Sequence, residues 1–382
     1  MKKEHNTRTI IITFIILFQT LNSQFTTDVD ISSYYDNNIF LSPTPVSDQA
    51  SLFSLTMRYQ PESKNISYYY NGNILLYRTQ NLYNSHTHYT GLDYYTALGK
   101  TDRSTLYLGS AYALKFNHAD YDYYNFQQLY LYANMRFLFN SIIFKTGYNF
   151  RYRDYANYRE ISNLRHYFFG QFNKSFFTRT TALIEADLGF KQYPNQGAVT
   201  TLLSGRGRGS AQAQYPTGLN YNQLIILARL AQSLHPSMGL YIQFRKQIIP
   251  IKSQEMIYTS DYTQIDELFD DPFSYETNEF SSQLTWLLPY RIKLMIQGET
   301  AVKTYPSQAA YISAEDVTAS GNERKDYRKS VSFTFDKILY LNKNWVKSLQ
   351  FMLNYRYINN SSNSYWYRYT NEIFQVDISW QF

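Results

Sequence analysis

Long runs in which apolar and polar residues alternate strictly limit what this chain can fold into. In residues 178–191 the even positions are mainly apolar, whereas the odd positions include Glu185, Asp187 and Lys191. Residues 142–153 and 290–303 show the same division. Side chains alternate between the two faces of a strand, whereas a helix would require a period of about 3.6 residues. These segments are therefore predicted to be strands that separate an apolar medium from water.

The length of these runs favours a membrane over a soluble sheet. They extend over about 10 to 14 residues, whereas strands of soluble sheets average about 5 or 6 residues and tilted strands cross a bilayer with about 9 to 11. Aromatic residues make up 18% of the chain and charged residues 17%, which excludes a disordered protein. After residue 22 there is no run of about 20 apolar residues that could form a membrane-spanning helix. The sequence thus predicts a β-rich protein embedded in a membrane.

The amino terminus has the features of a secretory signal peptide. Three basic residues precede an apolar segment, residues 9–21, and Ser23 is a small residue suited to cleavage. The alternative, a membrane anchor, would need about 20 apolar residues, and this segment has only about 13. We therefore assign residues 1–23 to a signal peptide and residues 24–382 to a single barrel domain. The chain has no cysteine, so neither a disulfide nor a lipid-modified amino-terminal cysteine is expected.

The carboxyl terminus adds a more specific pattern. Phe374, Val376, Ile378, Trp380 and the terminal Phe382 share one parity, with polar residues between them. An alternating last strand that ends on an aromatic residue resembles the insertion signal of Gram-negative outer-membrane β-barrel proteins. The resemblance implies a location in the bacterial outer membrane, with outer-membrane lipid, lipopolysaccharide and the barrel-insertion machinery as partners.

Turn residues and loop lengths predict the number of strands. Fifteen strands can be placed between residue 51 and the carboxyl terminus, and short connections alternate with longer ones, as in outer-membrane barrels. Closing the barrel with both termini at one end requires one more strand, which we place in residues 30–41. The sequence there, Tyr35 to Phe40, resembles the opening of uncharacterised bacterial porin families, which implies a possible homo-oligomer. We therefore expect an all-β, transmembrane, antiparallel up-and-down barrel of about 16 strands, with 14 as the alternative.

Tyrosine and tryptophan are abundant and are expected to form girdles at the two membrane interfaces. The expected girdle residues are Tyr68, Tyr69, Tyr70, Tyr94, Tyr95, Tyr123, Tyr124, Trp345, Tyr365, Trp366 and Tyr367. The competing interpretation is that these rings are platforms on which sugars stack inside a channel.

The polar parity of the strands supplies the candidate functional residues. If the apolar parity faces lipid, the polar parity faces the interior, and charges that line a pore select ions by sign. The pore-lining candidates are Lys145, Arg151, Arg153, Arg179, Glu185, Asp187, Arg245, Arg291, Lys293, Glu299 and Arg356; Lys191, Lys303, Asp336 and Asp377 share their parity. Basic residues outnumber acidic ones in this set, which predicts a weak preference for anions. The competing interpretation is that these charges pair across strands and make the wall rigid.

Other classes of function have little support. Removing the signal peptide takes three basic residues from 36 and one acidic residue from 30, and the resulting 33 and 29 do not suggest nucleic-acid binding. His86 and His88 lack an evident third metal ligand, and His118 lies in a segment typical of an exposed turn. A glycine-rich segment around Gly207 and an acidic cluster, residues 261–271, are interpreted as parts of long loops. We therefore predict no enzyme, no catalytic residue, no metal and no cofactor.

Two functions remain for such a barrel. The first is a porin-like channel for passive diffusion of small solutes, with the weak anion preference given above. The second is a non-conducting barrel for surface binding or assembly, whose long outer loops would contact a partner or envelope polysaccharide.

Overall fold

The structure is a computed structural model that describes residues 24–62, 64–99, 103–195, 200–202, 212–214, 220–250, 271–316, 319–343 and 346–382. The predicted signal peptide lies outside these residues. The strands are β1 (Phe25–Asp36), β2 (Asp48–Tyr59), β3 (Ile66–Tyr77), β4 (Ser85–Ala97), β5 (Ser104–Asn117), β6 (Phe126–Phe139), β7 (Ile142–Asp154), β8 (Asn163–Ser175), β9 (Thr180–Gln192), β10 (Thr200–Leu202), β11 (Gln212–Gln214), β12 (Asn220–His235), β13 (Met238–Ile248), β14 (Glu276–Leu288), β15 (Ile292–Ala309), β16 (Glu323–Lys343), β17 (Val346–Ser362) and β18 (Tyr369–Gln381).

Helical structure among the described residues is confined to short 3₁₀ turns between strands. These turns are Asn81–Tyr83, Ala119–Tyr124, Arg159–Ile161, Pro272–Ser274, Pro289–Arg291 and Tyr365–Tyr367. In the described part of the chain no helix has the length and apolar character needed to cross a membrane.

Sixteen of the strands, β1–β9 and β12–β18, form one closed antiparallel barrel. The ring closes at a seam where β1 pairs with β18, and Ser32 of β1 lies opposite Asp377 there. On its other side β1 pairs with β2, where Ser32 lies opposite Leu52. A closed ring leaves no strand edge without hydrogen-bond partners, which lipid could not supply. The predicted fold and the count of 16 strands are confirmed, and the alternative of 14 is wrong. The expected first strand exists, although it begins earlier than predicted, at Phe25, and ends at Asp36.

The connections alternate in length around the barrel, as the sequence predicted. We call the end with the short connections the turn end and the other the loop end. At the turn end, Asn140, Tyr290 and Arg291 have φ angles of 49°, 61° and 59°. Left-handed backbone of this kind matches the right-handed twist of paired strands in tight hairpins.

Most of the outer face of the barrel is apolar. Large side chains such as Ile74, Ile184 and Phe280 are 47%, 57% and 47% exposed, and each lies at the apolar parity of its strand. Soluble monomers rarely expose apolar patches of more than a few hundred Å². The outer face is therefore suited to hydrocarbon rather than to water.

The aromatic residues are divided between several environments, rather than only the two expected girdles. Tyr68 and Tyr94 lie on the outer face, where they are 46% and 39% exposed. Tyr69 lies on the inner face with Arg58, its direct partner on β2. Tyr124 is buried at the loop end in a cluster with Phe126, Tyr155 and Ile161. Trp345 lies outside the described residues. The sequence pattern did not anticipate this burial because the cluster joins two connections that are distant in the chain.

Candidate functional site: the inner face of the barrel

Strand register defines the inner face. Residues directly opposite each other on paired strands share a face, so a row of partners can be followed around the ring. The row through Gln283, Gln297, Ser332 and Arg356 lines a cavity on the inside of β14–β17. All other inner-face positions follow from this row through the registers of the remaining strands.

Nine of the eleven predicted pore-lining residues lie on this inner face. They are Lys145, Arg151, Arg153, Glu185, Asp187, Arg245, Lys293, Glu299 and Arg356. Lys191, Lys303, Asp336 and Asp377 lie there too. The two parities of a strand thus separate as the sequence analysis expected.

Arg179 and Arg291 are placed differently. Arg179 lies in the connection before β9, with a φ of 59°, and Arg291 lies in the 3₁₀ turn before β15. Strand alternation does not extend into these turns, because a residue with left-handed backbone breaks the two-residue period. The register of the strands therefore does not assign either arginine to the inner face.

The inner face also carries charges that the sequence analysis did not identify. The additional bases are Arg58, Lys115, Arg136, Arg165, Arg229, Arg324 and Arg328, and the additional acids are Asp28, Asp30, Asp36, Asp48, Asp93, Glu279 and Asp326. Many of them lie on strands whose inner parity contains aromatic or aliphatic residues, for example Tyr167 and Phe169 beside Arg165 on β8. Polarity alone therefore does not separate the two faces of these strands.

Basic residues are concentrated on four adjacent strands. The inner face of β5–β8 carries Lys115, Arg136, Lys145, Arg151, Arg153 and Arg165, which we call the basic wall. The strands β5–β8 carry no carboxylate at their inner-face positions. Two pairs of like charges lie directly opposite each other in the wall, Arg136 with Lys145 and Arg151 with Arg165. Like charges at such positions destabilise a sheet, so this arrangement is costly for the wall itself.

Two arginines of the basic wall are held by polar and aromatic neighbours. Arg151 is 5% exposed and its Nη2 donates to Asn163 Oδ1 at 3.2 Å. Arg153 Nε donates to Gln128 Oε1 at 3.0 Å, and its guanidinium carbon lies 4.2 Å from the centre of the Phe126 ring. Both contacts hold an arginine against uncharged groups.

Elsewhere on the inner face, opposite charges pair between neighbouring strands. Lys293 Nζ lies 2.8 Å from Asp336 Oδ2, and Arg245 Nη1 lies 3.8 Å from Glu279 Oε2. Lys293 and Arg245 therefore pair across strands, as the competing interpretation of the inner-face charges predicts.

One connection folds inward at the loop end. Asp271, just before the 3₁₀ turn Pro272–Ser274, forms an ion pair with Lys191, whose side chain is 1% exposed. Gln247 Nε2 donates to the carbonyl oxygens of Pro272 and Tyr275. Phe273 packs over Gly189, where an added Cβ would come within 2.9 Å of the ring. Gly189 thus gives the segment room against the wall. The other acidic residues of the predicted loop cluster lie outside the described residues, as does the glycine-rich segment.

Basic side chains near the loop end stack on aromatic rings. The contacts, measured from the charged group to the ring centre, are Lys303 to Tyr275 at 4.2 Å, Arg324 to Tyr305 at 3.8 Å, Arg324 to Tyr367 at 3.2 Å and Lys191 to Tyr193 at 5.1 Å. These distances are within the range of cation–π interactions. Several basic side chains at this end of the barrel are therefore held against aromatic rings.

The histidines weighed as ligands or catalytic groups lie away from the inner face. His86 Nδ1 lies 2.9 Å from His88 Nε2, and His88 Nδ1 lies 2.7 Å from the Tyr70 hydroxyl, all on the outer face. No group of three metal-ligating side chains occurs within the described ranges. His118 contacts Asp120 at 3.1 Å in an exposed turn at the loop end.

A closed 16-strand barrel that is apolar outside and charged inside is the architecture of outer-membrane porin-like proteins. This architecture places the protein in the bacterial outer membrane. No protein-family model and no curated protein matches the sequence.

Solved structures share the fold. They include OccK1 (OpdK) of Pseudomonas aeruginosa, with a TM-score of 0.50 and 12% sequence identity over 94% of this chain and 98% of that chain. OccAB1 of Acinetobacter baumannii has a TM-score of 0.50 and 10% identity over 94% of this chain and 97% of that chain. At this level of identity the similarity concerns the fold of the barrel.

Proposed function

We propose that this protein is a porin-like outer-membrane channel through which small solutes diffuse passively. The observation that carries the proposal is the closed wall of 16 strands with a polar, charged inner face. Barrels of about 8 strands are filled by their own side chains, whereas barrels of 16 to 18 strands leave room for an aqueous channel. We assign the barrel no catalytic activity.

The proposed channel has a weak preference for anions. The basic wall supports this preference, because six bases lie on four adjacent strands whose inner-face positions carry no carboxylate. A different sector is acidic, since β18, β1 and β2 carry Asp377, Asp30 and Asp48 on the inner face. Anions passing through the interior would follow the basic wall, and the acidic sector keeps the overall selectivity weak.

The proposal extends to the surroundings of the barrel. Lipid and lipopolysaccharide would contact the apolar outer face, and the insertion machinery would recognise β18. The barrel could assemble with copies of itself through the same outer face.

Conductance of the purified, folded protein in planar lipid bilayers tests the function. We expect stepwise, ohmic openings and, in a salt gradient, a reversal potential that indicates modest anion preference. Folded protein migrates faster on a gel before boiling than after boiling. If such folded protein shows no conductance, the proposed channel function is wrong. That result would favour the second hypothesis, a non-conducting barrel that acts through its long loops.

A further inference from the structure

A cavity on the inner face, separate from the basic wall, has the composition of a solute-binding site. It has a volume of about 300 Å³ and is lined by Gln283, Met295, Gln297, Glu299, Ser330, Ser332, Thr334, Asn354 and Arg356. This volume is at the lower limit of typical ligand pockets, which suits a molecule about as large as one sugar ring.

The floor of the cavity is a regular grid. Gln283, Gln297, Ser332 and Arg356 form one row of direct partners across β14–β17. Met295, Thr334 and Asn354 form the neighbouring row, and Glu299 with Ser330 begins the row on the other side. With strands about 4.8 Å apart, the row across four strands presents hydrogen-bonding groups over roughly 14 Å. The site is therefore fixed by strand register and not by a loop.

Several of these groups have unused hydrogen-bonding capacity. Asn354 Nδ2 donates to Thr334 Oγ1 at 2.6 Å, and Gln283 Nε2 donates to Thr285 Oγ1 at 3.0 Å. Within the described part of the chain, the side chains of Gln297, Glu299, Ser330, Ser332 and Arg356 have no hydrogen-bond or ion-pair partner. Nearby inner-face charges such as Lys293 and Asp336 are, in contrast, paired with each other.

The chemistry of the lining selects a class of solute. One cation and one anion offset each other, so the lining as a whole favours no net charge on a solute. Amides and hydroxyls both donate and accept hydrogen bonds, the guanidinium only donates and the carboxylate only accepts. A hydroxyl group on a solute can serve either role. Since this binding is additional to diffusion through the channel, it rests on the proposed function.

We propose that this cavity is a weak binding site for a neutral, polyhydroxylated solute of about one sugar ring. The juxtaposed Gln297, Arg356 and Glu299 supply its main contacts. The lining has no aromatic ring on which a sugar could stack, so we expect binding to be weak. Weak binding suits a channel, because a transported solute must also leave its site.

The test uses single-channel recordings with D-glucose, and with acetate and glycine at the same concentrations. We expect glucose in the millimolar range to interrupt the current in a concentration-dependent way, more strongly than acetate or glycine. Gln297→Leu, which keeps the size of the side chain, should weaken binding about tenfold through the loss of its hydrogen bonds. Gln171→Leu is the matched control, because Gln171 is an inner-face amide at a similar distance from the turn end, on β8.

A channel that conducts but responds equally to the three solutes, or more strongly to acetate or glycine, would overturn the site and leave the channel intact. If the folded protein does not conduct, saturation-transfer NMR with glucose, in a detergent without a sugar headgroup, tests the site independently. Transfer that Gln297→Leu reduces and Gln171→Leu does not would support it. Absence of transfer would overturn it.

Discussion

Arg136 and Lys145 face each other across β6 and β7 near the turn end, and both point inward. Neither side chain has a hydrogen-bond or ion-pair partner among the described residues. Two adjacent positive charges at this position raise the local concentration of anions. Selectivity should therefore depend on this pair more than on the arginines of the wall that are held by neighbours.

Replacing both residues with glutamate, Arg136→Glu with Lys145→Glu, should shift the reversal potential in a potassium chloride gradient toward cations, because four units of charge change at one place in the channel. Lys174→Glu is the control, since Lys174 lies on the outer face of β8 near the same end. An unchanged reversal potential in the double variant, or an equal shift per charge in the control, would show that the pair does not lie along the ion path.

Asp316, in the connection between β15 and β16 outside the membrane, has a carboxyl group with a lowered pKa. The backbone amide and hydroxyl of Ser313, and then the amide of Ile312, donate hydrogen bonds to its carboxylate, and they lower its pKa below the usual value. A carboxyl group with a lowered pKa stabilises the folded loop above its unfolded pKa of about 3.9, and this stabilisation is lost as the pH falls through the folded pKa.

NMR titration of Asp316 should therefore give a midpoint below about 3.9. Ser313→Ala should raise the midpoint, because it removes the hydroxyl donor, whereas Ser320→Ala in the same connection should not. A midpoint in the wild-type protein at or above the ordinary value would contradict the hydrogen bonds from Ser313 and Ile312 to this carboxylate.

At the scale of elements, one arginine at the start of β16 connects this strand to neighbouring elements at the loop end. Arg324 is buried between the rings of Tyr305 and Tyr367 and forms a bidentate pair with Asp326, whose Oδ1 accepts from Nε at 3.0 Å. Its Nη1 donates to Gln308 on β15 at 2.9 Å. These contacts join β15, β16 and the turn Tyr365–Tyr367.

Arg324→Ala should destabilise the barrel by about 3 to 5 kcal/mol, because it leaves Asp326 buried without its partner. The midpoint temperature of the gel-mobility change on heating measures this effect. The double variant Arg324→Met with Asp326→Leu should recover much of the loss, since neither charge then remains buried. A single variant as heat-resistant as the wild-type protein, or a double variant no better than the single, would contradict this assignment.

For the whole molecule, closure at the seam between β1 and β18 is the decisive feature. Each unpaired amide of an open edge would cost several kcal/mol in lipid. Deleting residues 25–36 would leave two such edges, on β2 and on β18.

A variant without residues 25–36 should refold without the heat-modifiable form on gels. A synthetic peptide of residues 24–36, added during refolding, should restore part of that form by supplying β1, whereas a peptide of the same composition in scrambled order should not. A compact, heat-modifiable barrel formed without any peptide would mean that β1 is dispensable for closure.

The sequence by itself determined the strands, their faces and their approximate number, because each membrane strand meets hydrocarbon on one side and water on the other. That contrast is local, so it is visible in runs such as residues 178–191. The contrast is weak where the inner parity is itself aromatic, as it is around Arg165. It does not extend into left-handed turns such as those at Arg179 and Arg291.

The tertiary structure decided which charges meet. Asp93 lies 3.3 Å from Arg58, two strands away, and Asp271 pairs with Lys191, 80 positions earlier in the chain. The basic wall, the inward segment at Phe273 and the cavity at Gln297 likewise arise from the register of neighbouring strands. Register belongs to pairs of strands and their turns, since the alternation of a single strand is satisfied equally well by any shift of two residues.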